Sequence, residues 1–251
     1  CGRGLPVPNN GPTAVLVTDV PSGDGWTTKP RIWVGTWGDW GLYVSDDLGE
    51  SFAPVSRPEP PYWGPVYDIE RAADGTLFLA SVARVFSSRD DGMNWSPGGR
   101  PLQSRPPAWR LSTHPSKPEV LYARVPSKGV FWSRDRGKTW SALADDADIQ
   151  ELARRDPRAQ VLNGDAFDLQ FSPNSEDFLF TGSGDGLWRI RLGADGGAVG
   201  SWERMEVHAL AANRPPVRPE VRRLRFITDR ESRYQGDLLL GTWGHGVIRL
   251  D

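Results

Sequence analysis

The sequence holds a single cysteine, at its first residue, so no disulfide can form within the chain. Its three histidines, at 114, 208 and 245, stand far apart. Neither a zinc site nor a cysteine nucleophile with its base can be read from them, and no metal is expected. Gly-x-Ser-x-Gly is absent, and no cofactor is expected. No apolar run approaches the ~20 residues of a membrane-spanning helix. Neither charge sign dominates: 30 Lys and Arg face 32 Asp and Glu, for a net charge of -2. A basic face is not implied, which argues against a nucleic-acid partner. Turn formers and aromatics are abundant instead. With 28 Gly, 22 Pro, 12 Trp and 38% hydrophobic residues, the 251-residue chain can build a core crossed by many turns.

Self-comparison brings out three octapeptides: SDDLGESF from Ser45, SRDDGMNW from Ser88 and SRDRGKTW from Ser133. They lie 43 and 45 residues apart, about the length of one four-stranded propeller blade. Short β-rich runs repeat around them. Gly41–Val44, Arg84–Ser87 and Gly129–Trp132 come directly before the three octapeptides. Arg31–Val34, Thr76–Ala80 and Val120–Ala123 precede those, and Ala14–Val17, Val66–Ile69 and Trp109–Ser112 come earlier still. Each unit reads as three strands, a turn, and an outer strand starting at the aromatic. Two further units keep the order without a good octapeptide, around Phe167–Met205 and Val221–Leu250, and Gly35–Gly38 is echoed by Gly241–Gly244. The expectation is an all-β fold: a β-propeller of four-stranded antiparallel blades, five in number. Residues 1–12 form an N-terminal tail and 13–251 the propeller.

The octapeptide chemistry explains its recurrence. Ser and Asp side chains accept hydrogen bonds from nearby amides and fix a tight turn, while Gly takes a φ that other residues avoid. The pattern resembles SxDxGxTW, the Asp-box or BNR repeat of sialidases, xyloglucan-cleaving hydrolases, sortilin-type receptors and photosystem II assembly propellers. The resemblance implies scaffold roles for Ser45, Asp47, Gly49 and Phe52, for Ser88, Asp90, Gly92 and Trp95, and for Ser133, Asp135, Gly137 and Trp140. It does not imply an activity, since unrelated functions share the fold. A calcium loop would need further oxygen ligands and a closing Glu that are missing.

In such a blade the turn after strand two and the loop leading into strand one share a face, and the box lies on the opposite one. The loop face collects the candidate site. Trp40, Tyr62, Trp63, Trp109, Lys128 and His245 are candidate ligand contacts, aromatic platforms with polar neighbours that suit a sugar ring or a partner's extended loop. Trp37 and Trp243, in near-identical contexts, are expected to pack between blades. Glycosidase chemistry needs two carboxyl groups facing across a sugar, and Asp39, Asp165, Asp185 and Glu220 are the candidates on this face. A sialidase-type site is not expected, because Arg31-Ile32 is followed by Trp33 and lies on the wrong strand. Two functions of different class follow: a non-catalytic extracytoplasmic binding or assembly propeller for a protein or glycan, and a polysaccharide-active glycoside hydrolase.

Three expectations concern the edges of this plan. Residues Asp145–Gln160 place acids before Ile149 and Leu152 and arginines after them, which predicts a short helix between units three and four. Cys1-Gly2 resembles the mature start of a bacterial lipoprotein, with a signal segment removed and a lipid anchor on the cysteine; a fragment edge is the other reading. Unit five ends after its third strand, so Gly4–Asn10 is expected to supply its outer strand by pairing with Val247–Leu250 and to close a monomeric ring.

Overall fold

Among the described residues, nineteen strands form five antiparallel sheets, each built by consecutive neighbours in the chain. The computed structural model describes residues 3–5, 11–21, 28–37, 41–55, 64–99, 108, 110–125, 128–144, 154, 168–172, 175–207, 220–228, 232–243 and 246–250. Blade 1 comprises β1 (Pro12–Pro21), β2 (Thr28–Thr36), β3 (Leu42–Ser45) and β4 (Ala53–Pro54). Blade 2 comprises β5 (Val66–Arg71), β6 (Leu77–Ser81), β7 (Val85–Ser88) and β8 (Ser96–Pro97). Blade 3 is β9 (Arg110–Thr113), β10 (Leu121–Val125), β11 (Gly129–Ser133) and β12 (Ser141–Ala142). Blade 4 is β13 (Asp168–Ser172), β14 (Ser175–Ser183), β15 (Gly186–Arg191) and β16 (Glu203–Met205). Blade 5 has three strands, β17 (Glu220–Phe226), β18 (Leu238–Trp243) and β19 (Gly246–Leu250). The arrangement is a five-bladed β-propeller, with β1, β5, β9, β13 and β17 as the innermost strands.

The core lies in the seams between blades. Trp33 of β2, 2% exposed, meets Trp95 of the second box edge-to-face at 6.5 Å, and its indole N–H donates to Thr18 Oγ1 at 3.1 Å. Phe78, Leu111 and Leu121 fill the seam between blades 2 and 3; Tyr122, Leu169 and Trp188 that between 3 and 4; Leu187, Val221 and Leu240 that between 4 and 5. The seam between blades 5 and 1 holds no such cluster among the described residues. There Val15, Val17 and Val247 are 62%, 58% and 73% exposed.

All three boxes share one geometry. The serine hydroxyl accepts the amide of the glycine four residues on, at 2.9 Å in each case: Gly49 to Ser45, Gly92 to Ser88 and Gly137 to Ser133. It donates to the box aspartate at 2.7 to 2.8 Å, and the aspartate accepts the amide of Ser51, Asn94 or Thr139. These bonds hold two successive residues at positive φ, as at Asp91 (51°) and Gly92 (79°). They also hold the Asp47 carboxyl down at about 2 and keep Asp90 and Asp135 below the ordinary carboxylate range. Arg31 belongs to this scaffold: it forks onto Asp46 at 2.7 and 3.0 Å and reaches the Asp91 carbonyl at 3.3 Å.

Most of the segment expected to close the ring, residues 6–10, lies outside the described residues, and the residues before it lie along blade 1. Arg3 pairs in parallel with Ser51, its amide donating to Glu50 O at 2.9 Å and its carbonyl accepting from Phe52 N at 2.7 Å. A Cβ on Gly4 would meet Phe52 O at 2.1 Å. The cause is local, since β4 is only two residues long and leaves Glu50 O and Phe52 N in need of partners. The helix expected over Asp145–Gln160 also lies outside the described residues except for Arg154, which is helical.

Candidate functional site

Strand register places one residue of each innermost strand at the same level of the ring: Ala14, Asp68, Arg110, Asp168 and Arg223, each followed by Val, Leu or Ile. Two residues on come Leu16, Glu70, Ser112, Gln170 and Arg225. The first level thus alternates carboxylate and guanidinium over four blades. Asp68 accepts the Leu111 amide of the next blade at 2.8 Å and lies 3.8 Å from Arg110, which itself donates to Tyr67 O at 3.0 Å. Asp168 repeats the device one seam further: its Oδ2 accepts the Leu224 amide of blade 5 at 3.0 Å. Edge amides that no strand pairs are thereby satisfied across the seams.

Electrostatics follow from the crowding of this lining. Burial lifts the Asp68 carboxyl to about 6 against the pull of Arg110, with Asp168 adding like-charge repulsion. Glu70 is pushed well above the carboxylate range by burial and by the charges of Asp68 and Asp168. Asp168 is raised by burial, and the Leu224 amide and Arg110 oppose the shift. A raised carboxyl binds its proton more readily in the folded than in the unfolded state, so these three groups favour folding below about pH 4. For Asp68 that advantage is lost as pH rises from 3.8 to about 6. The box carboxylates, depressed on folding, act oppositely and withdraw their contribution as pH falls from 3.8 toward about 2. Thermal unfolding should therefore peak between about pH 4 and 5 and fall by a few degrees toward pH 7.5. Asp68→Asn should flatten that fall; a melting temperature that climbs steadily from pH 5 to 7.5 would contradict the assignment.

Of the residues read from sequence, Asp39, Trp40, Tyr62, Trp63, Trp109, Asp165 and His245 lie outside the described residues. Lys128 is exposed on the loop face at the turn into β11. Asp185 lies 3.8 Å from Arg204 of its own blade, and Glu220 binds Arg222 at 2.6 Å. Among the described residues, the carboxyl groups held above the ordinary carboxylate range are Asp68, Glu70 and Asp168. Their signal in the sequence was the recurrence of charge at one repeat position on otherwise apolar strands.

Trp37 and Trp243 are both more exposed than packing between blades would leave them. Both stand where the second strand meets the loop face, and both are open to solvent, at 53% and 67%. Trp37 meets Tyr67 of the adjoining blade 2 edge-to-face at 5.3 Å, and Arg222 of its own blade stacks over Trp243 at 4.5 Å. On the opposite face, a cavity of about 270 Å³ beside the third box is lined by Trp132, Arg134, Asp135 and Thr139.

The BNR/Asp-box repeat family matches residues 131–142, the third box and its flanks. No curated protein matches the sequence. Among solved structures, the GH74 xyloglucanase from Xanthomonas campestris is 20% identical over 95% of this chain and 35% of its own, with a TM-score of 0.55. The extracellular domain of a putative one-component system from B. thetaiotaomicron is 13% identical over 87% of this chain and 25% of its own, with a TM-score of 0.59. YCF48 bound to D1 peptide is 14% identical over 88% of this chain and 62% of its own, with a TM-score of 0.54. The chain thus spans about a third of the xyloglucanase and a quarter of the extracellular domain. These likenesses concern the fold. With three boxes of one geometry in a five-bladed ring, the chain is a β-propeller that carries the BNR/Asp-box repeat.

Proposed function

We propose that this propeller works outside the cytoplasm as a non-catalytic binding or assembly module, engaging a glycan or an extended protein segment through its loop face. The observation that carries this reading is the pair Trp37 and Trp243, exposed on adjoining blades at equivalent repeat positions. A large indole left in water gains by stacking on a sugar ring or a planar side chain. Asp68 and Asp168, the best-placed channel carboxylates, are spent on backbone amides of the next blade. Further support comes from the company of the fold: an extracellular domain, a xyloglucanase and a peptide-bound propeller. The aromatic candidates Trp40, Tyr62, Trp63 and Trp109 and the polar Lys128 and His245 would widen the same surface. A lipid anchor at Cys1 would hold it at a membrane.

A glycoside hydrolase is the second reading, favoured by Glu70, a channel carboxyl pushed above the ordinary carboxylate range by burial and by the charges of Asp68 and Asp168. Incubation with soluble β-glucans separates the two. The binding reading expects retarded migration in a β-glucan gel with no new reducing ends. Reducing ends that vanish in Glu70→Gln would establish the hydrolase instead.

A further inference from the structure

The channel lining leaves three charged side chains over. Asp68, Arg110 and Asp168 hold one another and the inner-strand edges in place, whereas Glu70, Arg223 and Arg225 make no hydrogen bond or ion pair with any described residue. Arg223 and Arg225 are two apart on β17, so they project from one side of the strand. Both are exposed, and that side faces the unpacked seam at the channel. No described carboxylate forms an ion pair with either. Burial and the neighbouring Arg110 guanidinium both disfavour charge on Arg223, only partly offset by Asp168 and Asp68. Burial and the charges of Asp68 and Asp168 disfavour the carboxylate form of Glu70 and so weaken its pull on Arg225.

From this lining we propose that Arg223 and Arg225, with Arg110 behind them, form a site for an oxyanion in the central channel, the carboxylate or phosphate of a small anion or of an acidic chain lying across the loop face. Guanidinium pairs bind such groups through parallel N–H donors. The site stands apart from the tryptophan pair, and its failure would leave the loop-face reading untouched.

Calorimetric titration at pH 7 and low salt tests it with three probes: sodium phosphate, galacturonate and trigalacturonate, with galactose as the uncharged control. Saturable 1:1 binding of at least one anion is expected, with none for galactose. Phosphate binding no weaker than trigalacturonate binding identifies a free anion as the ligand; trigalacturonate binding ten times tighter or more identifies an acidic chain. The double variant Arg223→Gln/Arg225→Gln should weaken binding at least tenfold, and it should fold, since neither side chain bonds a described residue. Arg249→Gln is the comparison at an arginine outside the site, because Arg249 stacks on Tyr234 and pairs with Asp237 at 3.4 Å. Its affinity should stay within twofold of wild type. No saturable binding of any anion, or equal losses in the two variants, would overturn the site.

Discussion

Gly92→Ala should be among the most destabilising single-methyl changes in the molecule, costing about 2–5 kcal/mol. Two effects add. Gly92 sits at φ 79°, where an L-residue costs ~1–2 kcal/mol. An added Cβ would also stand 2.2 Å from Trp33 Cη2, and Trp33 has little room to yield. Its indole is 2% exposed, tied to Thr18 and braced by Trp95. Gly137 provides the comparison, being the same box position with the same φ of 79°. There the nearest side-chain atom, on Leu121, is 3.4 Å from the added Cβ. Gly137→Ala should therefore lose only the backbone term, about 1–2 kcal/mol. Denaturant midpoints of the two variants measure the difference. Equal losses would mean that the second box does not press on Trp33.

Asp168→Ala should cost about 2–4 kcal/mol, through the channel rather than the apolar core. The side chain is 8% exposed and accepts two amides, Leu169 N at 3.1 Å and Leu224 N at 3.0 Å. Its loss leaves the Leu224 amide without an acceptor in a buried seam, a penalty of roughly 1–3 kcal/mol. It also removes the negative charge that offsets Arg110 and Arg223. Asp168→Asn, which keeps an acceptor oxygen, should recover at least half of the loss in the same unfolding experiment. A stability equal to wild type in the alanine variant would show that blades 4 and 5 hold together without this bond.

The boxes and strands were legible in the sequence because their causes are local. Ser133, Asp135, Gly137 and Trp140 lie within eight residues, and the turn they make depends on nothing further away. The channel was not legible, because a charge on a strand ordinarily reads as the solvated side. Asp68 becomes a lining residue only once β5 is known to be innermost and its neighbour is known to offer the Leu111 amide. Trp243 was read as packing because its context repeats that of Trp37. Trp37 meets Tyr67 of the next blade whereas Trp243 is stacked by Arg222 of its own, a difference set by the ring rather than by the repeat unit. Ring closure by the chain start was argued from the missing strand of blade 5; Arg3, just before that segment, pairs with the edge at Glu50 and Phe52.

Loop-face recognition by Trp37 and Trp243 is most directly tested by migration of wild type and of Trp37→Ala/Trp243→Ala through native gels cast with graded concentrations of soluble β-glucan, or with an extended peptide ligand once one is identified. Both indoles are more than half exposed, so the double variant should keep the wild-type melting temperature within about two degrees. Each stacking contact is worth about 1–2 kcal/mol, so the apparent dissociation constant should rise at least tenfold. Retarded migration that is unchanged in the double variant would contradict the account, because the surface that binds would then lie elsewhere on the propeller.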